Sequence, residues 1–456
     1  MLTEALQYAA DQRADFLAEL KKFLALPSIS ALPAYRSEVQ RTARWLADYM
    51  SALGLQRVAV NATPGHPIVT AEWLEAGPDK PTILIYGHYD VQPVDPIDLW
   101  HSDPFQAEVR DDYLYARGAS DDKGQTFIHV KALESYLKTA GRLPVNVKLI
   151  IEGEEEVGGP SLDPFIEAQQ DLLRADVAVI SDTNMLRPDL PCIIYALRGL
   201  SYIQVEVTGP TRDLHSGRFG GAVYNPLQAL CEMLAALKDC DGHIIVPGFY
   251  DQVRSLSAAE RELLAQSPFD EETFMQFAGV STLWGETGYT AKEQITARPT
   301  LEINGIWGGF MDEGAKTVLP SKAHAKISCR LVADQDHHEI AQLLSDHMRQ
   351  IAPPQVTVDV QFLHGGRGAL VNLDSKYMRA ASRVLLQVFG RAPVFEREGG
   401  SIPVVSTLQK VLGIDSILLG FGLPDDALHS PNERFYLPNF YKGIETVIRY
   451  WDELGK

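Results

Sequence analysis

Thr82-Ile83-Leu84-Ile85-Tyr86-Gly87-His88-Tyr89-Asp90 is a short apolar run that ends abruptly in side chains able to bind a proton or a cation. Runs of this length, bounded by turn signals, fit strands covered on both faces, as in a parallel sheet. The pattern recurs along the chain. Val145 to Ile151 leads into Glu152-Gly153-Glu154-Glu155-Glu156, and Val177-Ala178-Val179-Ile180 leads into Ser181-Asp182. A helical pattern from about Gln125 to Ala140 lies between the first two runs. Together they predict an α/β sheet with crossover helices. Upstream, residues 4–25 place Phe16, Leu17, Leu20, Phe23 and Leu24 at helical spacing before Pro27. A second amphipathic stretch runs from about Glu38 to Leu53.

The pattern changes near Leu197. Leu200 to Val207 alternates like a half-exposed strand, and Asn225-Pro226 opens a helix to about Leu237, with proline in the favoured first turn. Strands are then predicted at 300–306, 323–332 and 356–362, with a helix at 338–351. The order β-α-β-β-α-β is that of a ferredoxin-like α+β sandwich. The polar stretch 250–295 reads as an insertion in it. After Gly365-Gly366-Arg367-Gly368 the earlier pattern resumes through Ser416-Ile417-Leu418-Leu419 to a final helix near 441–454. The expectation is an α/β catalytic domain with a mixed sheet, formed by residues 1–196 and 369–456. A ferredoxin-like lid at 197–368 interrupts it.

Composition narrows the possible functions. The 456 residues are 45% hydrophobic and 22% charged, with a formal net charge of −19, the profile of a globular protein larger than one ordinary core. So acidic a surface repels phosphate backbones, which excludes nucleic acid as the expected partner. Cys192, Cys231, Cys240 and Cys329 form no C-x-x-C pair, so neither a structural zinc site nor a disulfide framework is expected. The start, Met1 to Leu6, lacks the basic and apolar regions of a signal peptide, and no apolar run is long enough to span a membrane. A cytoplasmic protein is the expectation.

The chemistry lies just beyond the apolar runs, where open α/β sheets bind ligands. His88 and Asp90 follow the first run, Glu154 to Glu156 the second and Asp182 the third. Asp121 sits in Gly118-Ala119-Ser120-Asp121-Asp122-Lys123-Gly124, and His429 in Asp425-Asp426-Ala427-Leu428-His429-Ser430. Taken singly, each has an ordinary explanation: an Asp pair before glycine is usually a turn, and a run of glutamates is usually a solvated loop. Carboxylates crowded beside a low-dielectric core, however, repel one another unless a cation neutralises them. Two histidines among carboxylates suit zinc, manganese or cobalt better than calcium or magnesium. No phosphate-binding P-loop is present.

Six segments, in order and at compatible spacing over nearly the whole chain, carry a resemblance. They are Gly87 to Pro93, Gly118 to Gly124, Glu152 to Gly158, Asp213-Leu214-His215-Ser216-Gly217, Gly399-Gly400-Ser401-Ile402-Pro403 and Ala427 to Glu433. They resemble the co-catalytic zinc peptidases of the aminoacylase and carboxypeptidase-G superfamily, and within it the cytosolic nonspecific dipeptidase and carnosine dipeptidase branch. The resemblance implies two divalent ions, Zn²⁺ or Mn²⁺, one held by His88, Asp121 and Asp182 and the other by Asp121, Glu156 and His429. It implies that Asp90 supports His88, that Glu155 is the general base, and that the Asp121–Asp122 peptide is cis. Glu154 and Pro431 depart from the branch, standing where relatives often have a neutral and a polar residue respectively.

The resemblance also implies that Arg330, Thr317, Gly400 and Ser401 hold the substrate's C-terminal carboxylate, a fitting task for an arginine. It further implies a homodimer through the lid, in which His215 completes the partner's site. His101, His129, His324 and His337 have no supporting motif and read as structural. The expected activity is hydrolysis of dipeptides or related small amides. One alternative is an N-acyl amino acid deacylase of the acetylornithine or succinyl-diaminopimelate hydrolase type. Another, of a different class, is an inactive binding homologue, which would be marked by loss of a ligand or of the base. Length, the 250–295 insertion and the Gly399 to Pro403 segment favour the dipeptidase, and no ligand is lost.

Overall fold

The computed structural model describes residues 1–400 and 402–456. The chain forms two compact units, one of residues 1–195, 371–396 and 407–456, the other of residues 196–370 and 397–406.

The first unit is built on a mixed sheet. Its strands run in the spatial order Gln56–Asn61, Ile68–Trp73, Asn146–Glu152, Thr82–His88, Val177–Ile180, Ser416–Leu418, Cys192–Leu197. Thr82–His88 lies parallel to both Asn146–Glu152 and Val177–Ile180, and Ser416–Leu418 extends the parallel set. These strands are buried nearly throughout, which explains why they read as unbroken apolar runs rather than alternating ones. Helix Lys123–Ala140 packs against the sheet and against the final helix, Leu437–Leu454. Phe127, Ile128, Tyr136, Ile444, Val447, Ile448 and Trp451 all belong to one buried core. The residues predicted as one helix, 4–25, form two, Leu2–Asp11 and Arg13–Leu24, with a break at Gln12.

The second unit carries an antiparallel four-stranded sheet in the order Thr300–Gly308, Lys322–Leu331, Gly199–Thr208, Thr357–Gly366. Helices Pro226–Ala235 and His337–Ile351 contribute Leu230, Met233, Leu344 and Met348 to the core on its buried face. Alternation in Gly199–Thr208 and Lys322–Leu331 is strict, with one face in the core and the other half exposed. This is the ferredoxin-like arrangement. The insertion at 250–295 holds three short helices, Ala258–Ala265, Glu271–Ala278 and Ala291–Thr296.

Candidate metal centre

Parallel strands deliver their last residues to one edge of the sheet. His88 closes its strand, Glu155 and Glu156 form a single turn just after Asn146–Glu152, and Asp182 follows Val177–Ile180. Asp121 stands before helix Lys123–Ala140, at the cis Asp121–Asp122 peptide. His429 comes from a loop that needs left-handed backbone at Ala427, His429 and Asn432. Gly87 is needed for close approach, because a Cβ there would lie 1.9 Å from Thr126 Oγ1. That space admits the Asp122 carboxylate, which accepts from His88 N at 3.1 Å and from Thr126 Oγ1 at 2.6 Å.

The side chains converge into two groups sharing Asp121. His88, Asp121 and Asp182 form one group and Asp121, Glu156 and His429 the other, with ligand atoms within 4.8 Å of one another in each. His88 Nε2 is 3.1 Å from Asp121 Oδ1, and His429 Nε2 is 2.9 Å from Asp121 Oδ2 and 3.2 Å from Glu156 Oε2. His88 Nδ1 faces Asp90 instead, 3.3 Å from its carboxylate and 3.1 Å from its carbonyl. The Asp90 carboxylate also accepts from the amides of Glu155 and Glu156, each at 3.2 Å. One buried carboxylate thus ties the His88 strand to the glutamate turn. Glu154 turns away from the groups, accepting from His66 N at 2.9 Å.

Electrostatics test whether cations suit these donors. Burial pushes Glu155 up to about 9 and Asp182 up to about 7, with neighbouring carboxylates adding to each. Burial also acts on Asp121, but hydrogen bonds from His429 and His88 outweigh it and hold that carboxyl below its usual range. Hydrogen bonds to Asp121 and Glu156 raise His429 to about 10. The cluster therefore gathers positive charge, by keeping protons on imidazoles and carboxyls, which is the deficit that divalent ions fill. Oxygen and imidazole donors at these spacings fit such ions.

The remaining sequence candidates lie in the second unit. Arg330 sits on the half-exposed face of its strand, in register with Leu200. His215 is exposed, and its Nδ1 accepts from Gly217 N at 3.0 Å. The two-stranded pairing of Leu214–His215 with Val318–Leu319 brings it beside Thr317, whose carbonyl accepts from Ser216 N at 3.0 Å. Gly400 receives the Arg198 amide at 3.1 Å through its carbonyl, while Ser401 lies outside the described residues.

Three residues escaped the sequence reading. Gln92 donates to Glu156 Oε2 at 2.8 Å. Arg198 donates through Nε to Gly399 O at 3.1 Å, while its Nη1 is buried with no partner among the described residues. It directly precedes the strand Gly199–Thr208, in which Leu200 opposes Arg330, and burial together with the charge of Arg330 lowers it to about 10. Glu433 is wholly buried under the Asp121 loop. Gln92 and Glu433 fall within the quoted segments, but a polar residue near a motif carries no mark of its role.

Comparisons with known proteins give the chain its family. A family model described as Peptidase family M20/M25/M40 matches residues 84–453. The Cys-Gly metallodipeptidase DUG1 of Candida albicans is 34% identical, over 97% of this chain and 95% of the relative. The human Beta-Ala-His dipeptidase is 32% identical over 100% and 93%. Among solved structures, the dipeptidase Dug1p of Saccharomyces cerevisiae superposes with a TM-score of 0.80 at 30% identity, covering 100% of this chain and 98% of that one. An M20 family metallo-carboxypeptidase, Sso-CP2 of Sulfolobus solfataricus, gives 0.84 at 32% identity over 96% and 99%. With a family match running from the strand that ends in His88 to the final helix, this chain belongs to peptidase family M20/M25/M40.

Proposed function

We propose that the chain hydrolyses the peptide bond of dipeptides at a centre of two divalent cations. The observation that carries the reading is the pair of ligand groups sharing Asp121, with Glu155 beside them. The dipeptidase names of full-length relatives supply the substrate class. His88, Asp121 and Asp182 hold one ion, and Asp121, Glu156 and His429 the other; zinc or manganese suits this donor mixture. When bound, such ions polarise the scissile carbonyl and acidify the attacking water. Glu155 accepts the proton that this water gives up and returns it to the leaving amine, as the C–O bond forms and the C–N bond breaks. Asp90 keeps the proton of His88 on Nδ1, so that Nε2 stays available as a donor atom.

In the second unit, Arg330, Thr317, Gly400 and Ser401 take the substrate's C-terminal carboxylate. Arg198 is added to this set, because its Nη1 is buried without a partner among the described residues while the charge of Arg330 bears on it, and two neighbouring cations call for an anion. The chain works as a homodimer joined through this unit, with His215 serving the neighbouring copy. Support comes from strand Thr300–Gly308, which ends its sheet and leaves Ile303 and Ile306 exposed. A cytoplasmic location accords with four cysteines outside any disulfide and, among the described residues, no helix long and apolar enough to cross a membrane.

The test is metal analysis combined with a substrate panel. The purified chain should carry about two divalent ions. Chelation should abolish cleavage of dipeptides such as Cys-Gly and β-Ala-His, and Zn²⁺ or Mn²⁺ should restore it. A single ion per chain, or a preference for N-acyl amino acids over dipeptides, overturns the reading.

A further inference from the structure

Glu433 has no part in the chemistry above, yet its carboxylate is more fully engaged than any ligand. One oxygen accepts from Arg117 Nη1 at 2.8 Å and from Gly118 N at 2.9 Å. The other accepts from Ser120 N at 2.9 Å and from Asp121 N at 3.1 Å. The Glu433 carbonyl in turn accepts from Ala116 N at 3.1 Å. The turn that presents Asp121 is therefore bound along its length to one side chain. That side chain belongs to the segment carrying His429. A second tie joins the same two segments: Ser120 Oγ donates to Asp426 Oδ2 at 2.9 Å, and Leu423 N donates to the same oxygen at 2.7 Å. Arg117 also donates to Pro93 O at 3.0 Å, which anchors the turn to the stretch after Asp90.

We propose that Glu433 is a positioning residue for both cation sites, holding Asp121 and His429 at the separation and orientation that two ions require. The proposal rests on the two-cation reading. The Asp121 carboxylate must send one oxygen towards His88 and the other towards His429. A side chain can do this reproducibly only if its own backbone is fixed, and Glu433 grips the Asp121 amide directly. Because Asp121 is common to both groups, loosening Glu433 weakens both sites together. Loss of Asp182 or Glu156 removes a donor from one group only. Satisfying the amides of a buried turn is the ordinary task of such a carboxylate, and by itself that task predicts lower stability with no change in metal affinity.

Two variants separate the roles. Glu433→Gln keeps the size but turns an NH₂ group towards backbone donors, whereas Glu433→Asp keeps both acceptors but is too short to reach all four. Ile444→Ala, in the core of the same unit, serves as a control that lowers stability away from the centre. The full chain is stripped with chelator and titrated with Zn²⁺ by calorimetry, alongside thermal melts of the stripped proteins. Expected for both Glu433 variants is a rise in both dissociation constants together, by ~10–100-fold, the usual consequence of disturbing groups behind the ligands. Ile444→Ala should melt earlier with its dissociation constants unmoved. Wild-type constants in a folded Glu433 variant, weakening at one site only, or weakening no greater than in Ile444→Ala, each overturns the proposal. If one variant does not fold, the other decides. Wild-type chain that binds a single ion refutes the two-cation reading itself, a separate failure.

Discussion

Glu155 and Glu156 are neighbours with different surroundings, and the roles proposed for them can be tested apart. Glu156 is within 3.2 Å of His429 and takes a hydrogen bond from Gln92, whereas Glu155 is raised to about 9 by burial and nearby acids. Glu155→Gln should retain metal and lose ~10²–10⁴-fold in rate, the usual worth of a general base. Glu156→Gln should lose metal. The opposite outcome, read by metal analysis beside kcat, reverses the two assignments. His129 gives a prediction independent of metal. It is fully buried, with Nε2 2.7 Å from Ser181 Oγ, and burial lowers it to about 3 from an ordinary 6.5. The unfolded chain therefore takes up a proton below pH 6.5 that the folded chain refuses, so the folded state loses stability as pH falls from 6.5 towards 3. Between pH 6.5 and 5 the loss is about 2 kcal/mol at roughly 1.4 per unit. His129→Gln should remove that share, seen as a shallower decline of melting temperature in chelator. At this scale the sequence declared the residues that end strands, because burial of the preceding run made them conspicuous. It was silent on Glu433 and Arg198, whose contacts join positions far apart in the chain.

At the scale of elements, legibility followed burial pattern. Strands buried on both faces appeared as unbroken apolar runs, and the half-exposed strands of the second unit appeared as alternation, so the ferredoxin-like order could be read directly. The break at Gln12 could not, since apolar spacing on the two sides suits a single helix and nothing local marks the interruption. The final helix begins at Leu437, ahead of the predicted 441, with Pro438 in its first turn, a signal the sequence offered. The capping boxes Ser257/Glu260 and Thr290/Glu293 likewise mark helices inside the insertion that composition alone painted as merely polar. The proposed carboxylate contact draws on the pairing of Leu200 with Arg330, one step beyond Gly199 and Leu331, and on the nearness of Arg198 to the Arg330 charge. Arg330→Ala should raise KM for dipeptides with a free C-terminus, by a factor equivalent to about 1.5–3 kcal/mol for a hydrogen bond to a charged group. C-terminally amidated substrates should respond much less. Equal losses on both substrate types remove Arg330 from carboxylate recognition.

For the whole molecule the question is whether one chain suffices. Thr300–Gly308 is an edge strand with Ile303 and Ile306 exposed on a chain of net charge −19. An open, partly apolar edge invites pairing with another chain unless it is covered, and a second copy would cover it symmetrically, as in most homo-oligomers. His215 is exposed and pointed by a short strand pair beside Thr317, and no titratable partner engages it among the described residues. Its side chain's one hydrogen bond among the described residues, from Gly217 N, occupies Nδ1, which leaves Nε2–H as a donor for an oxyanion. A donor of this kind contributes about 3–4 kcal/mol to an acyl-transfer transition state at most. His215→Ala should therefore lower kcat steeply with both metals retained. If the histidine serves the neighbouring copy, two inactive chains can repair each other. A heterodimer of His215→Ala with Glu155→Gln pairs an intact base in the first chain with an intact histidine from the second, which makes one competent site of two. Mixing under conditions that exchange subunits should therefore restore a substantial fraction of activity, whereas mixing either variant with itself should restore none. Sedimentation should report a dimer, and charged substitutions at Ile303 and Ile306 should dissociate it and abolish the repair. A monomer with full activity, or a dimer without complementation, removes His215 from the neighbouring site.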